Sequence, residues 1–133
     1  MIDVSPMRDV AFDDKDGSVR IGGGVRNGHI YAGLKSVGRT LTHGRCMGVG
    51  AAGFLLGGGI GFAMRNRGLG CDHVVATDVV LADGSMVTAS ERENADLFWA
   101  CRWRRRQFRH QHRVSSAHTC GRAGDDVLDH VDH

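Results

Sequence analysis

Residues 44–61 read GRCMGVGAAGFLLGGGIG, a single cysteine followed by a run in which glycine recurs every one to four positions. Glycine removes the Cβ, permits positive φ and leaves successive backbone N–H groups able to face a bound anion. Two clusters result, Gly48/Gly50/Gly53 and Gly57/Gly58/Gly59/Gly61. Such backbone suits close approach by a large planar or phosphorylated ligand, and Cys46 at its mouth offers a nucleophilic sulfur if it is present as the thiolate. The neighbouring Arg45 and His43 supply positive charge of the kind that favours that anion. A slack linker is the competing reading. It fits poorly, because the glycines alternate with Val49, Phe54, Leu55, Leu56, Ile60 and Phe62 in place of serine or charge.

The string GVGAAG, Gly48 to Gly53, also matches the G-x-G-x-x-G fingerprint of dinucleotide-binding folds, with Asp72 at the expected remove. That fingerprint needs a buried strand before it and an unbroken helix after it. TLTHGRCM supplies no such strand, and LLGGGIG interrupts any helix. The nineteen uncharged residues between Arg45 and Arg65 are long enough for a membrane span, but seven of them are glycine, each worth about 1 kcal/mol against a helix. No membrane partner is expected.

The surrounding elements are short. VAFDD and SVRIGGG read as strands about a polar turn at Gly17, and MIDVS as the end of another strand before Pro6. RNGHIYAGLKSVG has the helical spacing Ile30, Leu34, Val37, with Asn27 as N-cap and Gly38 as the left-handed C-terminal residue. RTLTHG is expected to be a strand entering the glycine run, and FAMRNRGLG at most two helical turns closed by Gly68. DHVVATDVVLADGSMVTAS reads as a β-hairpin about ADGS. ADLFWAC then forms a helix after a cap region at Ser90/Asn94, with Leu97, Phe98 and Ala100 on its apolar edge. Short strands and helices without regular βαβ alternation predict an α+β fold.

Composition divides the 133-residue chain near Arg102. Residues 1–101 carry ten Lys/Arg against eleven Asp/Glu, whereas residues 102–133 carry seven Arg against four Asp and hold only Val114, Val127, Leu128 and Val131 as large aliphatics. So little apolar material predicts a disordered tail over 103–133. The cysteines Cys46, Cys71, Cys101 and Cys120 have no CxxC spacing, and the charged N-terminus lacks an apolar signal region. The expectation is a cytoplasmic protein with free thiols.

Across residues 1–102 the chain resembles the berberine-bridge-enzyme-like, FAD-linked oxidases of the vanillyl-alcohol-oxidase superfamily, whose cofactor domain is of the PCMH type. Gly44, Cys46, Val49, Gly50, Gly53, Gly57, Gly58, Gly59 and Gly61 fit one block of the family pattern. Gly68, Leu69, Asp72, Val74, Val80, Ala82, Asp83 and Gly84 fit a second, and Asp96, Leu97, Phe98, Trp99, Ala100 and Arg102 a third. The resemblance implies a partial FAD-binding domain over 1–102. The cofactor contacts it implies are Cys46, Gly48, Gly50, Gly53, Gly57, Gly58, Gly59, Gly61 and Val74, with Val74 at the adenine. In an intact enzyme Cys46 would bond covalently to the flavin at C6. Met47-Gly48 stands where the family often has Pro-Thr. The family's reaction is hydride transfer from an alcohol or C–H bond of a small-molecule substrate to FAD.

Two family features are missing. No R-x-G-G-H loop occurs, so neither its phosphate contacts nor its histidyl link to flavin is expected here, and no substrate domain follows Arg102. No catalytic acid or base can therefore be assigned, and the fragment is expected to be inactive alone. The tail offers a reason. After LFWACR the family continues with a glycine run and N-F-G-I, whereas this chain has WRRRQFRHQHRVSSAHT. In one synonymous choice of codons, that peptide read one base on becomes GGGGNFGINTEFRLRT. A frameshift at or just after Arg102 would leave residues 103–133 out of frame. The alternative from another class is a small basic protein binding nucleic acid through the Arg-rich tail. A zinc site drawn from His118, Cys120, His130 and His133 has no standard spacing.

Overall fold

The computed structural model describes residues 3–41 and 44–102 and, as backbone only, 117–118. The expected tail over 103–133, with its basic and His/Cys motifs, otherwise lies outside the described residues, as do Thr42 and His43. Elements follow the order β1 (Val10–Asp13), β2 (Ser18–Ile21), α1 (Asn27–Lys35), α2 (Ala51–Leu56), α3 (Met64–Arg67), a 3₁₀ helix (Gly70–His73), β3 (Ala76–Val80), β4 (Met86–Ser90), α4 (Ala95–Cys101) and β5 (Ala117–His118). This is α+β architecture. The strands form a sheet ordered β1-β2-β5 and a separate β3-β4 hairpin, and every named pairing is antiparallel.

Each sheet element forms for a local reason. β1 and β2 pair Val10 with Ile21 and Phe12 with Val19, placing alternate residues inward around a turn whose Gly17 has φ 72°. β3 and β4 pair Thr77 with Ala89 and Val79 with Val87, and the connecting turn uses Gly84 at φ 86°. In the helices α1 buries Asn27, Ile30 and Leu34 on one stripe, and α4 buries Phe98, Ala100 and Cys101. The core collects Val19 and Ile21 from β2, Ile30 and Leu34 from α1, Leu55 from α2 and Phe98 from α4, joined by Val25, Leu41, Ala51, Val74 and Ala89.

Three expectations are corrected. Among the described residues no strand precedes Pro6: the Met7 N–H donates to the Val4 carbonyl at 2.9 Å, so the described part of the segment spends its backbone on a turn. The described part of RTLTHG holds no strand either, because Leu41 is drawn into the core and no named strand runs alongside. Asn27 is not an N-cap. Arg26 occupies that position with φ −103° and ψ 157°, and Asn27 is the first helical residue, fully buried. Among the described residues no helix is long and apolar enough to cross a membrane.

Candidate functional site

The glycine run is anchored, not slack. Its middle is α2, a short helix that sinks Ala51, Leu55 and Leu56 into the interior. Gly50 precedes that helix in extended conformation and forms an antiparallel bridge with Arg26. The Ala51 N–H donates to the Val25 carbonyl at 2.8 Å, which ties the start of α2 to the approach of α1. Gly57 ends α2, and its N–H and that of Gly58 return to the carbonyls of Phe54 and Leu55.

The two glycine clusters do different work. Gly58 and Gly59 are buried and lie against the 3₁₀ helix, their carbonyls accepting from Cys71 at 3.2 Å and Gly70 at 2.9 Å. A Cβ on Gly59, whose φ is 72°, would stand 2.6 Å from the Gly70 Cα. Close contact between main chains therefore requires glycine at 59 whether or not a ligand is present. At Gly48 and Gly50 an added Cβ would meet nothing within 4 Å. These positions open outward beside the exposed Cys46. Gly53 lies within α2 and Gly61 opens the turn into α3, its carbonyl accepting from Met64 at 3.3 Å; both are half-buried.

Cys46 sits on a turn held from behind by α1. The N–H groups of Asn27 and Gly28, which have no partner inside their own helix, donate to the carbonyls of Val49 at 2.9 Å and Met47 at 3.0 Å. The Asn27 carboxamide continues the pattern, with Nδ2 donating to the Cys46 carbonyl at 3.1 Å and, at 3.5 Å, to that of Gly44. Its Oδ1 is buried without a partner among the described residues. An orphaned acceptor of this kind costs about 1–3 kcal/mol. Sequence reasoning missed this residue's contact with the turn, since the spacing that marks Asn27 as a cap says nothing of a loop nearly twenty residues on.

Around the turn Met47, Val49, Ile60, Phe62 and Met64 are exposed, an apolar rim on both sides of α2. The Arg45 guanidinium stacks over the Phe62 ring at 4.5 Å, so the expected support of a Cys46 thiolate is not the only interaction open to this cation. A cavity of about 500 Å³ opens beside Met47, walled by Tyr31, Leu34 and Arg39. Burial pushes the Tyr31 phenol above its usual 10.0. Val74 terminates the 3₁₀ helix and is buried in the core. Cys71 and Cys101 are buried thiols. Asp72 accepts from the Leu69 N–H at 3.1 Å and faces Arg102 at 3.5 Å, a structural use that replaces the ribose contact of the dinucleotide fingerprint.

An open glycine surface at 48 and 50, an exposed thiol and an apolar rim together fit a flat, partly anionic cofactor. Residues 1–90 match the family described as the FAD binding domain. The chain belongs to the berberine-bridge-enzyme-like, FAD-linked oxidases. It is 45% identical over 103 residues to a xylooligosaccharide oxidase of Thermothelomyces thermophilus, an alignment covering 77% of this chain and 21% of that protein. A solved berberine-bridge-enzyme-like protein of Physcomitrella patens superposes with a TM-score of 0.82 at 30% identity, covering 87% of this chain and 25% of the other. A glucooligosaccharide oxidase of Acremonium strictum, described as carrying 6-S-cysteinyl, 8α-N1-histidyl FAD, superposes at 0.76 with 38% identity, covering 86% and 24%. The chain thus spans about a fifth to a quarter of the length of the FAD-linked oxidases it matches. The family's cofactor is FAD, and the partial PCMH-type fold expected from sequence is the one observed.

Proposed function

We propose that this chain forms part of the FAD site of a flavin-dependent oxidoreductase, with Cys46 as the atom to which flavin attaches in the longer protein. Bound FAD supplies a two-electron acceptor for a hydride leaving an alcohol or C–H bond. The chain's own contribution is to bind and orient. Gly48 and Gly50 give a surface without Cβ atoms, Cys46 presents its sulfur beside them, and the main chain at Val74 serves the adenine end. Gly53, Gly57 and Gly61 border this surface, whereas Gly58 and Gly59 hold α2 against the 3₁₀ helix beneath it. The observation that carries the reading is the open space over Gly48 and Gly50 next to an exposed cysteine.

A carbohydrate is the substrate class we favour for the longer protein, because relatives of similar sequence are named xylooligosaccharide oxidase and carbohydrate oxidase. We assign no side chain among the described residues as acid or base for that oxidation, and we expect the chain to be inactive alone. The test is the visible spectrum of the purified longer protein, restored upstream and downstream in frame, before and after acid precipitation. Flavin that stays with the precipitate and maps by mass spectrometry to the peptide carrying Cys46 in the native protein, and is missing from that peptide in Cys46→Ser, supports the assignment. A colourless folded protein overturns it.

A further inference from the structure

We infer that Asn27 is a positioning residue for Cys46: its buried carboxamide fixes the turn that presents the thiol. The inference rests on the reading of Cys46 as the flavin attachment atom. Asn27 is wholly buried among apolar neighbours, and its Oδ1 has no partner among the described residues. An apolar side chain of the same shape would remove the orphaned Oδ1 but leave the Cys46 and Gly44 carbonyls without this donor. What an apolar side chain lacks is the donor. Asn27 Nδ2 reaches the Cys46 carbonyl at 3.1 Å and the Gly44 carbonyl at 3.5 Å, one on the cysteine itself and one two residues before it.

The contact is fitted from the loop side too. A Cβ on Gly44 would lie 2.9 Å from Asn27 Nδ2 and 3.0 Å from the Phe54 ring, so the absence of a side chain at 44 is what lets the carboxamide reach the turn. Beside it the Asn27 and Gly28 N–H groups hold the carbonyls of Val49 and Met47. The backbone bonds would survive loss of the side chain, but those from α1 reach only Met47 and Val49, and the Cys46 carbonyl is otherwise held only from within the turn, by the Val49 N–H at 3.3 Å. Asn27 Nδ2 ties the half that carries Cys46 to α1, and with it the backbone from which the exposed thiol projects.

The experiment is hydrogen–deuterium exchange on the full chain, native and Asn27→Leu, read at the peptide containing residues 44–50 with the β3–β4 hairpin as internal reference. Leucine keeps the shape and removes both the donor and the orphaned acceptor. The expected result is exchange roughly fivefold faster or more at the Val49 N–H within 44–50, whose acceptor is the Cys46 carbonyl that Asn27 Nδ2 also holds, with the hairpin unchanged. Equal exchange at 44–50 overturns the proposal, and so does an increase shared by the hairpin. Should Asn27→Leu fail to fold, Gly44→Ala displaces the same carboxamide from the loop side and is read identically. Flavin retention is measured separately on the same proteins in the longer, in-frame form. Attachment at Cys46 as fast in Asn27→Leu as in the native form overturns the positioning role. Absence of flavin from both, with the exchange difference present, overturns the flavin reading and leaves the grip of Asn27 on the turn intact.

Discussion

Gly48 and Gly59 belong to one run of sequence and answer to different constraints. At Gly59 a methyl group meets the Gly70 backbone and φ is positive, so Gly59→Ala is expected to lower stability by about 2 kcal/mol or more in urea denaturation. At Gly48 the same change meets open space, and stability should stay within about 0.5 kcal/mol of native. The cost of Gly48→Ala falls on the ligand. In the longer protein FAD should bind on the order of tenfold more weakly, about 1.4 kcal/mol, as measured by flavin fluorescence on titration. The cysteines divide in a comparable way. Cys46 is exposed, while Cys71 and Cys101 are 1% and 3% exposed. Iodoacetamide followed by peptide mapping should therefore modify Cys46 in the folded chain and reach Cys71 and Cys101 only after denaturant is added.

The elements legible in the sequence were those whose cause is local. The β1–β2 and β3–β4 hairpins follow from alternation about a glycine turn, and α1 and α4 from apolar residues three or four apart. Helix α2 was not legible, since Ala51–Leu56 carries an internal glycine and stops at three more; burial of Ala51, Leu55 and Leu56 holds it in place. MIDVS and RTLTHG have strand-forming residues without a paired strand at the described positions, which propensity alone does not reveal. The turn of the second hairpin allows a sharper test. Bonds to Asp83 from the Ser85 hydroxyl and then its N–H hold the carboxyl below its usual 3.8. A lowered folded value means that the stabilisation is present above 3.8 and is lost as pH falls through the folded value. Ser85→Ala should raise the Asp83 titration midpoint towards 3.8 in a carbon-detected NMR titration of the native hairpin.

Across the whole molecule, the surface that would meet flavin is built from segments that close on each other within about a hundred residues, while the longer relatives continue for several times that length. That the glycine run permits close approach was legible from residue type, but not that at Gly58 and Gly59 the approach is to the main chain of Gly70 and Cys71. The grip of Asn27 on the turn was not, because it joins residues seventeen and nineteen positions apart through one side-chain nitrogen. The reading frame is the feature open to the most direct test. Sequencing the gene through the codons for residues 103–119 is expected to show bases compatible with GGGGNFGINTEFRLRT one register on. Codons incompatible with that register would remove the frameshift account and leave the Arg-rich tail as native sequence.

The backbone clasp between Gly58–Gly59 and Gly70–Cys71 has a consequence for how this surface can vary. It makes the span from the Cys46 thiol to Val74 a ruler graduated in peptide units. Exchanges of Phe54, Ile60 or Phe62 leave the ruler intact. Inserting or deleting one residue between Gly50 and Gly58 shifts its graduations against Val74, so such a change should abolish cofactor retention even where the inserted residue is another glycine.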